Sequence, residues 1–287
     1  MPNIKFGCQL PQDGDPDRAI EAAVECEQLG YDSVWAYDHL SPFWLSSGRA
    51  LECWTLLAAV AARTSRIKIG SLVTNINFRN PAMLAKMSST LDNISGGRLI
   101  VGLGVGDRLS RSELHAYGYG FHPLNRRVER LRETIQILKS MWTNNDSSFE
   151  GKQFRLLHAR NYPKPMQKPY PPIWIGGKHR KILDVVAAIA DGWNYWGLNK
   201  TELAKREAYL KSKCVEFGRK PGSLVRSWAG PMAAGRNGEP YATIVDEIES
   251  ELLKNTNGET DYFIASFDTT TSPKLYRAFA EAVKSID

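Results

Sequence analysis

Short apolar segments alternate with longer amphipathic segments along the whole chain. The short segments have the length of buried strands, and the longer ones repeat apolar residues at intervals of three and four, which is typical of helices. Eight strand–helix pairs follow one another in this way. Regular alternation predicts an α/β fold with a parallel sheet. Eight pairs favour closure into a (β/α)₈ TIM barrel with insertion loops over an open, doubly wound sheet.

The predicted elements are bounded by helix start and stop signals. Asp15 followed by Pro16 predicts the start of the first helix, and Gly30 predicts its end. Asn199, with Glu202 three residues later, predicts a capping box. The predicted strands cover residues 4–8, 33–36, 67–73, 99–103, 173–175, 192–196, 224–228 and 262–265. The predicted helices cover residues 16–29, 52–63, 81–94, 124–142, a segment that ends at 190, a segment after 199, 241–255 and 273–285.

The chain has 287 residues, and a barrel of this kind takes about 250 residues. We therefore expect one domain over residues 1–287. Two connectors interrupt the alternation, at 107–123 and 144–172, and the second is rich in proline and polar residues. Long connectors in a compact domain are usually lids or substrate walls, so we expect both to be insertion loops around the site.

The composition argues against several classes of protein. The formal net charge of +6 can attract phosphate or carboxylate ligands, but no dense run of lysine and arginine indicates a nucleic-acid surface. No apolar stretch is long enough to cross a membrane, and the N-terminal residues lack the apolar core of a signal peptide. The cysteines are far apart, which favours a reducing cytoplasm over disulfides or zinc. They are Cys8, Cys26, Cys53 and Cys214.

The carboxyl ends of the predicted strands should carry the chemistry, because active sites of such barrels lie at that end. The residues that this rule selects are Cys8, Gln9, Asp38, His39, Val73, Thr74, Asn75, Gly104, Val105, Gly106, Asp107, Gly176, Gly177 and Trp196. A metal site is not expected, since no two histidines have the spacing of a ligand pair. The histidines are His39, His115, His122, His158 and His179.

His39 is the strongest candidate for acid–base chemistry. Histidine titrates near neutrality and can give or take a proton, and the adjacent Asp38 could fix the loop. The alternative is that His39 caps a loop or binds a backbone carbonyl group. The sequence leaves both interpretations open.

A glycine-rich turn follows the fourth strand, as Gly102-Leu103-Gly104-Val105-Gly106-Asp107. The dinucleotide fingerprint requires a third glycine where Asp107 stands, so that pattern fails. Such a turn still lets the backbone approach a planar ligand, or it is only a tight turn at the rim. Asp107 could donate a proton if it were buried, because loss of water favours the protonated carboxyl group. Otherwise it is a solvated cap.

A second glycine turn, Gly176-Gly177, follows the fifth strand and opens a helix. Free amides at a helix N-terminus favour a phosphate group, and Lys178 or His179 would add positive charge. The alternative is a plain turn without a ligand.

Several segments together resemble the luciferase-like family of flavin- and deazaflavin-dependent enzymes. They are residues 35–40 (Trp-Ala-Tyr-Asp-His-Leu), 54–70, 78–87, 90–92, 95–99, 102–104, 171–177 and 190–193. The resemblance covers residues 4–196. It implies a (β/α)₈ barrel that uses reduced flavin mononucleotide (FMN) or coenzyme F420, and a homodimer, which family members usually form.

The resemblance also implies roles for individual residues. Asp-His-Leu at 38–40 is most similar to the F420-dependent branch, in which the equivalent of His39 lies next to the reactive ring carbon. An acidic residue in the place of Asp107 is there the proton-transfer partner. A non-prolyl cis peptide is implied within residues 71–73, behind the ring. The residues expected to contact the cofactor are Asp38, Ser71, Leu72, Val73, Thr74, Gly104, Val105, Gly106, Gly176, Gly177 and Lys178.

Three functions are compatible with these observations. The first is a coenzyme F420-dependent oxidoreductase that moves hydride to or from a small organic substrate. The second is a monooxygenase that uses reduced FMN and oxygen. The third is a flavin-binding barrel without turnover. Oxygen uptake separates the first two, because a deazaflavin does not readily form the peroxide adduct that oxygenation needs.

Overall fold

Parallel strands close into a barrel in the computed structural model, which describes residues 4–41, 49–232, 240–255, 260–267 and 273–286. Within these residues, eight parallel strands pair in a ring, and the last strand pairs with the first. In ring order they are β1 (Lys5–Gln9), β2 (Ser33–Ala36), β3 (Lys68–Ser71), β5 (Leu99–Gly104), β8 (Ile173–Gly176), β9 (Gly192–Tyr195), β10 (Val225–Pro231) and β11 (Tyr262–Ser266). The predicted (β/α)₈ barrel is confirmed.

The helices begin and end close to the predicted residues. The Asp15 side chain accepts hydrogen bonds from two amides at the start of the first helix, and Gly30 ends that helix in the left-handed conformation. The capping box of Asn199 and Glu202 is also present. The helices are α1 (Pro16–Leu29), α2 (Cys53–Arg63), α3 (Pro81–Ile94), α4 (Ser110–Ala116), α5 (Leu124–Thr143), α6 (Arg180–Ile189), α7 (Lys200–Glu216), α8 (Tyr241–Asn255) and α9 (Pro273–Ile286). Among the residues that the structure describes, none of the helices is both long and apolar enough to cross a membrane.

Three predicted segments need correction. The predicted strand 67–73 ends early at β3, and a short strand β4 (Thr74–Asn75) follows it and pairs with β5. The connector 107–123 contains the helix α4, and the connector 144–172 contains an antiparallel hairpin of β6 (Ser147–Glu150) and β7 (Arg155–Ala159). These elements have only seven, four and five residues, which is too few for apolar periodicity to reveal them.

Large side chains fill the inside of the barrel. The rings of Trp35 and Trp174 have centroids 5.0 Å apart, and the ring of Tyr262 lies 5.2 Å from that of Trp174. Ile100 and Ile264 belong to the same inner cluster, while a larger core lies between the strands and the helices. Because side chains fill the interior, a ligand site has to lie at an end of the barrel.

The amino-terminal end of the barrel is held by a repeated arrangement of aspartates. Asp32, Asp191 and Asp261 each precede a strand, and a carboxylate oxygen of each accepts a hydrogen bond from an amide near the start of a neighbouring strand. Each aspartate amide donates in return to the carbonyl group of the same residue. The residues so paired are Phe6, Ile173 and Arg226. These contacts stabilise strand pairing at the amino-terminal end. The chemistry is therefore expected at the carboxyl ends of the strands.

Candidate active site

The end of the third strand carries a non-prolyl cis peptide between Leu72 and Val73, as the family resemblance implied. The Val73 side chain lies against two glycines of neighbouring strands. A Cβ atom at Gly176 would come within 2.9 Å of Val73 Cγ1, and one at Gly104 would overlap Val73 Cγ2. These glycines therefore make room for Val73. The contact brings the ends of β3, β5 and β8 together at one mouth.

Ser71 and Thr74 do not line this mouth. Both are fully buried, and the Ser71 hydroxyl donates to the Gly102 carbonyl oxygen at 2.9 Å while the Thr74 hydroxyl donates to Ser71 at 2.8 Å. Their side chains tie the third strand to β5, and the cofactor contact expected of these two residues stays a prediction. Leu72 and Val73 are half-buried and stay the predicted contacts from this strand.

Asp38 belongs to a buried ion network behind the strand ends. Its carboxylate accepts hydrogen bonds from Arg79 Nη1 at 2.6 Å, from Arg79 Nη2 at 2.9 Å and from the Asn75 amide at 2.8 Å. Arg79 also binds Glu52. Burial raises the pKa of Asp38 more than Arg79 lowers it. Burial alone would lower the pKa of Arg79, but the two carboxylates around it outweigh that effect and raise it. Since both oxygens of Asp38 are engaged, its side chain holds the strand ends together, and the expected cofactor contact stays a prediction.

His39 lies at the mouth beside a carboxylate that the sequence did not indicate. Its Nδ1 atom is 2.9 Å from Oε2 of Glu113, and Oε1 of the same carboxylate accepts a hydrogen bond from the Ser41 amide at 3.2 Å. The side chain of His39 is 23% exposed, whereas that of Glu113 is 3% exposed. An imidazole that is partly open to solvent and paired with a buried carboxylate can give or take a proton.

Tyr37 contributes a buried hydroxyl group to the same region. Within the described residues its Oη atom is buried and has no hydrogen-bond partner. Burial raises the pKa of Tyr37, and the carboxylates of Asp13 and Glu113 raise it further, so the hydroxyl group keeps its proton. The centroid of its ring lies 6.0 Å from that of His39. Tyr37 therefore forms a neutral wall next to the histidine.

Asp107 ends the turn after β5 and is exposed. Its Oδ1 atom accepts hydrogen bonds from the Ser110 amide at 2.9 Å and from the Ser110 hydroxyl at 3.0 Å. Asp107 thus caps the segment that leads into α4. The burial on which its expected role as a proton donor depended is not found, and the cap is the interpretation that the structure favours.

The glycine turn after β5 is held by side chains from other elements. Two atoms of asparagine side chains beside it have no hydrogen-bond partner among the described residues. Arg127 donates to the carbonyl oxygens of Val105 and Gly106, and Asn77 Nδ2 donates to Val105 O at 3.0 Å. A Cβ atom at Gly106 would come within 3.2 Å of Asn75 and 3.4 Å of Asn77. Among the described residues, Asn75 Nδ2 and Asn77 Oδ1 are buried and have no hydrogen-bond partner. Native proteins rarely leave such atoms unpaired, so they are candidates for ligand contacts.

The turn after β8 leads into α6. Gly177 has a φ of 137°, and its amide donates to a carbonyl oxygen of β9 at 3.1 Å. The ring of His179 accepts a hydrogen bond from the Lys181 amide at 3.2 Å. The amides of Lys178, His179 and Arg180 have no acceptor within the described part of the chain. An anion site here would therefore use the amides after Gly177.

Sequence reasoning missed three residues that shape the site, namely Glu113, Arg79 and Arg127. Glu113 lies on α4, which has only seven residues and no periodic signal. Arg127 lies on the buried side of α5, where an arginine does not fit the apolar periodicity of the helix. Arg79 lies in the segment 78–87, whose likeness to the luciferase-like family was the available signal for it.

The remaining strand-end candidates are placed very differently. Cys8 is fully buried, whereas Trp196 is 59% exposed after β9, near the carbonyl oxygen of Gly197 that accepts a hydrogen bond from Lys178 Nζ at 3.2 Å. All four cysteines are free. In the part of the chain that the structure describes, no group of three or more histidine, cysteine, aspartate or glutamate residues could hold a metal ion.

Known proteins resemble this chain to different degrees. The sequence model of the luciferase-like monooxygenase family matches residues 3–280. The chain is 34% identical over 194 residues to an F420-dependent glucose-6-phosphate dehydrogenase of Amycolatopsis mediterranei, and the alignment covers 67% of this chain and 57% of that relative. It is 30% identical over 250 residues to an F420-dependent hydroxymycolic acid dehydrogenase of Mycobacterium tuberculosis, over 85% of this chain and 65% of the relative. The chain thus spans less than two thirds of the length of these relatives.

Solved structures show the same fold over almost the whole chain. An F420-dependent secondary alcohol dehydrogenase in complex with an F420–acetone adduct has a TM-score of 0.85 over 99% of both chains at 18% identity. A monooxygenase from Streptomyces bottropensis has a TM-score of 0.81 over 99% of both chains at 20% identity. At these identities the likeness shows the fold alone. Because the family model covers nearly all of the sequence, the chain belongs to the luciferase-like monooxygenase family.

Proposed function

We propose that the chain is a coenzyme F420-dependent oxidoreductase that transfers hydride between the deazaflavin and a small organic substrate. The observation that carries this proposal is the pair of His39 and Glu113 at the carboxyl end of the barrel. The strand that leads to His39 is the neighbour of the strand that leads to Val73. Both relatives aligned above are named F420-dependent dehydrogenases, which supports the choice of cofactor.

The residues at the mouth fit a planar ring with polar atoms along one edge. Val73 is half-buried, so part of its side chain can lie under such a ring. The pyrimidine edge of a deazaflavin has carbonyl acceptors and an N–H donor. These match the unpaired Asn75 Nδ2 donor and Asn77 Oδ1 acceptor. FMN has the same edge, so this fit supports a flavin-like ligand, and the named functions of the relatives favour F420.

The turn after β8 is proposed to hold the cofactor phosphate. The amides of Lys178, His179 and Arg180 are available there, and a helix N-terminus favours an anion. Two of these residues also carry positive charge. Because the Gly177 amide is already bonded, the proposed phosphate contacts begin one residue later than the glycine pair suggested.

The bound cofactor supplies the hydride chemistry. The chain supplies a proton acceptor and the position of the substrate. His39 takes the proton of a substrate hydroxyl group when the substrate is oxidised, and returns it in the opposite direction. Buried Tyr37 stays neutral beside it, so the proton exchange is assigned to the histidine.

A direct test is a fluorescence titration of the purified protein with F420 and with FMN. We expect the deazaflavin to bind more tightly. Equal or reversed affinities would contradict the proposed cofactor. Oxygen uptake with reduced FMN and a substrate would instead support the monooxygenase, and binding without any turnover would support the non-catalytic barrel.

A substrate is sought by following the reduction of F420 with small alcohols and with glucose 6-phosphate. The role of His39 is then tested with that substrate. We expect His39→Ala to lose roughly 10²–10⁴-fold in turnover with little change in cofactor affinity. His115→Ala, at an exposed position of α4, is the matched control and should leave turnover unchanged. We expect Asp107→Asn to be milder than His39→Ala. A larger loss in Asp107→Asn would identify Asp107 as the proton donor.

We also propose a homodimer that uses the outer face of α3. Met83 and Ile94 on this helix are 58% and 48% exposed. The segment beside it, which α3 contacts through a hydrogen bond from Asn93, exposes Tyr162 to 51% and Met166 to 54%. Contiguous exposed apolar side chains are typical of interaction surfaces. Light scattering at micromolar concentration measures the mass, and a monomer would reject this proposal.

A cytoplasmic location is proposed as well. The four cysteines are free and buried, which is typical of proteins in a reducing compartment. Fractionation of cells that produce the protein tests this, and recovery outside the cytoplasmic fraction would contradict it.

A further inference from the structure

Glu113 is a buried acid whose side-chain hydrogen bonds, within the described residues, all go to the segment that carries His39. One carboxylate oxygen lies 2.9 Å from His39 Nδ1, and the other accepts from the Ser41 amide at 3.2 Å. The Glu113 side chain is only 3% exposed, and no lysine or arginine of the described residues forms an ion pair with it. A buried carboxylate without a cationic partner is costly. The contacts with His39 and Ser41 are therefore the ones that offset the burial of this carboxylate.

The helix that carries Glu113 turns three buried residues inward, namely Ser110, Glu113 and Leu114. Leu114, the next residue, is fully buried, and Asp107, which precedes the helix, accepts two hydrogen bonds from Ser110 in its first turn. The carboxylate is thus presented from a fixed scaffold on one side of the imidazole. A fixed partner is what the orientation of a catalytic side chain requires.

The chemistry of the two groups determines where the imidazole proton lies. An ionised carboxylate accepts hydrogen bonds and has none to donate. With the Glu113 carboxylate as the acceptor, the 2.9 Å contact has the proton on Nδ1 of His39. In the neutral ring the lone pair is then on Nε2, because the hydrogen bond at one ring nitrogen sets the state of the other.

We infer that Glu113 is a positioning residue that fixes the Nδ1–H tautomer of His39 and so makes Nε2 the atom that exchanges a proton with the substrate. The inference rests on the proposed function, since that function gives His39 its acid–base role. Glu113 acts only through His39. When the imidazole takes up a proton, the adjacent carboxylate also stabilises the resulting positive charge.

Glu113→Gln is the sharpest variant because it changes the direction of one hydrogen bond and preserves the shape. The amide oxygen can still accept from the Ser41 amide. The amide nitrogen then donates to Nδ1 of His39, so the ring proton moves to Nε2. A merely structural role for Glu113 does not predict this reversal of the tautomer.

The tautomer is read from long-range ¹H–¹⁵N spectra of histidine-labelled, ligand-free protein, at a pH high enough to keep the imidazole neutral. His39→Ala assigns the signals by their loss. We expect the Nδ1–H pattern in the wild type and the Nε2–H pattern in Glu113→Gln. Asp146→Asn is the matched control, because it alters an exposed pair in which His158 Nδ1 lies 3.1 Å from Asp146. It should leave the His39 signals unchanged.

An Nε2–H pattern in the wild type would overturn the inference even if the variant does not fold. An unchanged pattern in a folded Glu113→Gln protein would do the same. This measurement needs neither cofactor nor substrate, so its failure is distinguishable from a failed F420 titration. With a substrate in hand, we expect Glu113→Gln to lower kcat by at most the roughly 10²–10⁴-fold loss of His39→Ala, with cofactor affinity unchanged. A reversed tautomer with full turnover would show that the tautomer does not matter for the reaction.

Discussion

The carboxylate of Asp38 accepts bidentate hydrogen bonds from the guanidinium group of Arg79, at 2.6 and 2.9 Å. Replacement of Arg79 by Met would leave a buried carboxylate without its positive partner. We expect the free energy of unfolding to fall by about 3–5 kcal/mol, measured by chemical denaturation. Arg66→Met, at an exposed position, is the control and should change it by less than about 0.5 kcal/mol. Equal effects of the two variants would show that the buried pair does not stabilise the strand ends.

The packing of Val73 against Gly104 predicts a second-site rescue. In Gly104→Ala the new methyl group would overlap Val73 Cγ2. We expect this overpacking to lower the free energy of unfolding by about 1–3 kcal/mol. Val73→Ala removes that atom, so the double variant should be more stable than the sum of the two single effects indicates. Gly222→Ala is the control, because a Cβ there has no neighbour within 4 Å. Additive losses in the double-mutant cycle would show that these two residues do not share a packing site.

Charge reversal at Lys178 tests the proposed phosphate turn. A glutamate beside the available amides at the start of α6 should repel the cofactor phosphate and weaken F420 binding at least tenfold, or about 1.4 kcal/mol. Lys200→Glu is the matched control, since it reverses a charge at the start of α7, whose amides the Asn199–Glu202 capping box already occupies. The comparison should be made at low salt, where screening is weak. If both variants bind F420 equally well, the phosphate lies elsewhere.

Glu27 makes stability depend on pH. Burial alone would raise its pKa, but hydrogen bonds from the amides of Ile67, Arg66 and Ser65 outweigh it and lower the pKa from 4.5 to about 2. A folded-state pKa below the unfolded value stabilises the protein above pH 4.5, and this contribution is lost as the pH falls towards 2. We expect Glu27→Gln to reduce stability by about 1–2 kcal/mol at neutral pH.

Denaturation curves at pH 7 and pH 3 check this prediction. The difference in unfolding free energy between wild type and Glu27→Gln should narrow at the lower pH, because below pH 4.5 the carboxyl group binds a proton in the unfolded chain more readily than in the folded one. Glu21→Gln on the exposed side of the same helix should show no such change. If the difference in unfolding free energy between wild type and Glu27→Gln widens on acidification, the pKa of Glu27 is not lowered by folding.

The sequence by itself determined the barrel and predicted the end of it that carries the candidate site. Apolar periodicity depends on residues a few positions apart, and the caps at Asp15, Gly30 and Asn199 are equally local. These signals are therefore complete in the sequence. The family resemblance added the cis peptide after Leu72, which no local pattern indicates. That residues 1–287 form one domain stays a prediction.

The tertiary structure decided which side chains meet at that end. Glu113 and His39 are 74 residues apart, and Arg79 and Asp38 are 41 residues apart. Neither pair has a local signal, because each forms only when the barrel closes, and the pair of Glu113 and His39 also requires α4 to fold against the rim. Burial is decided in the same way. Asp107 is exposed and Glu113 is buried, although both are acidic residues of one connector. Asp107 precedes α4, whereas Glu113 lies on the side of α4 that faces inward.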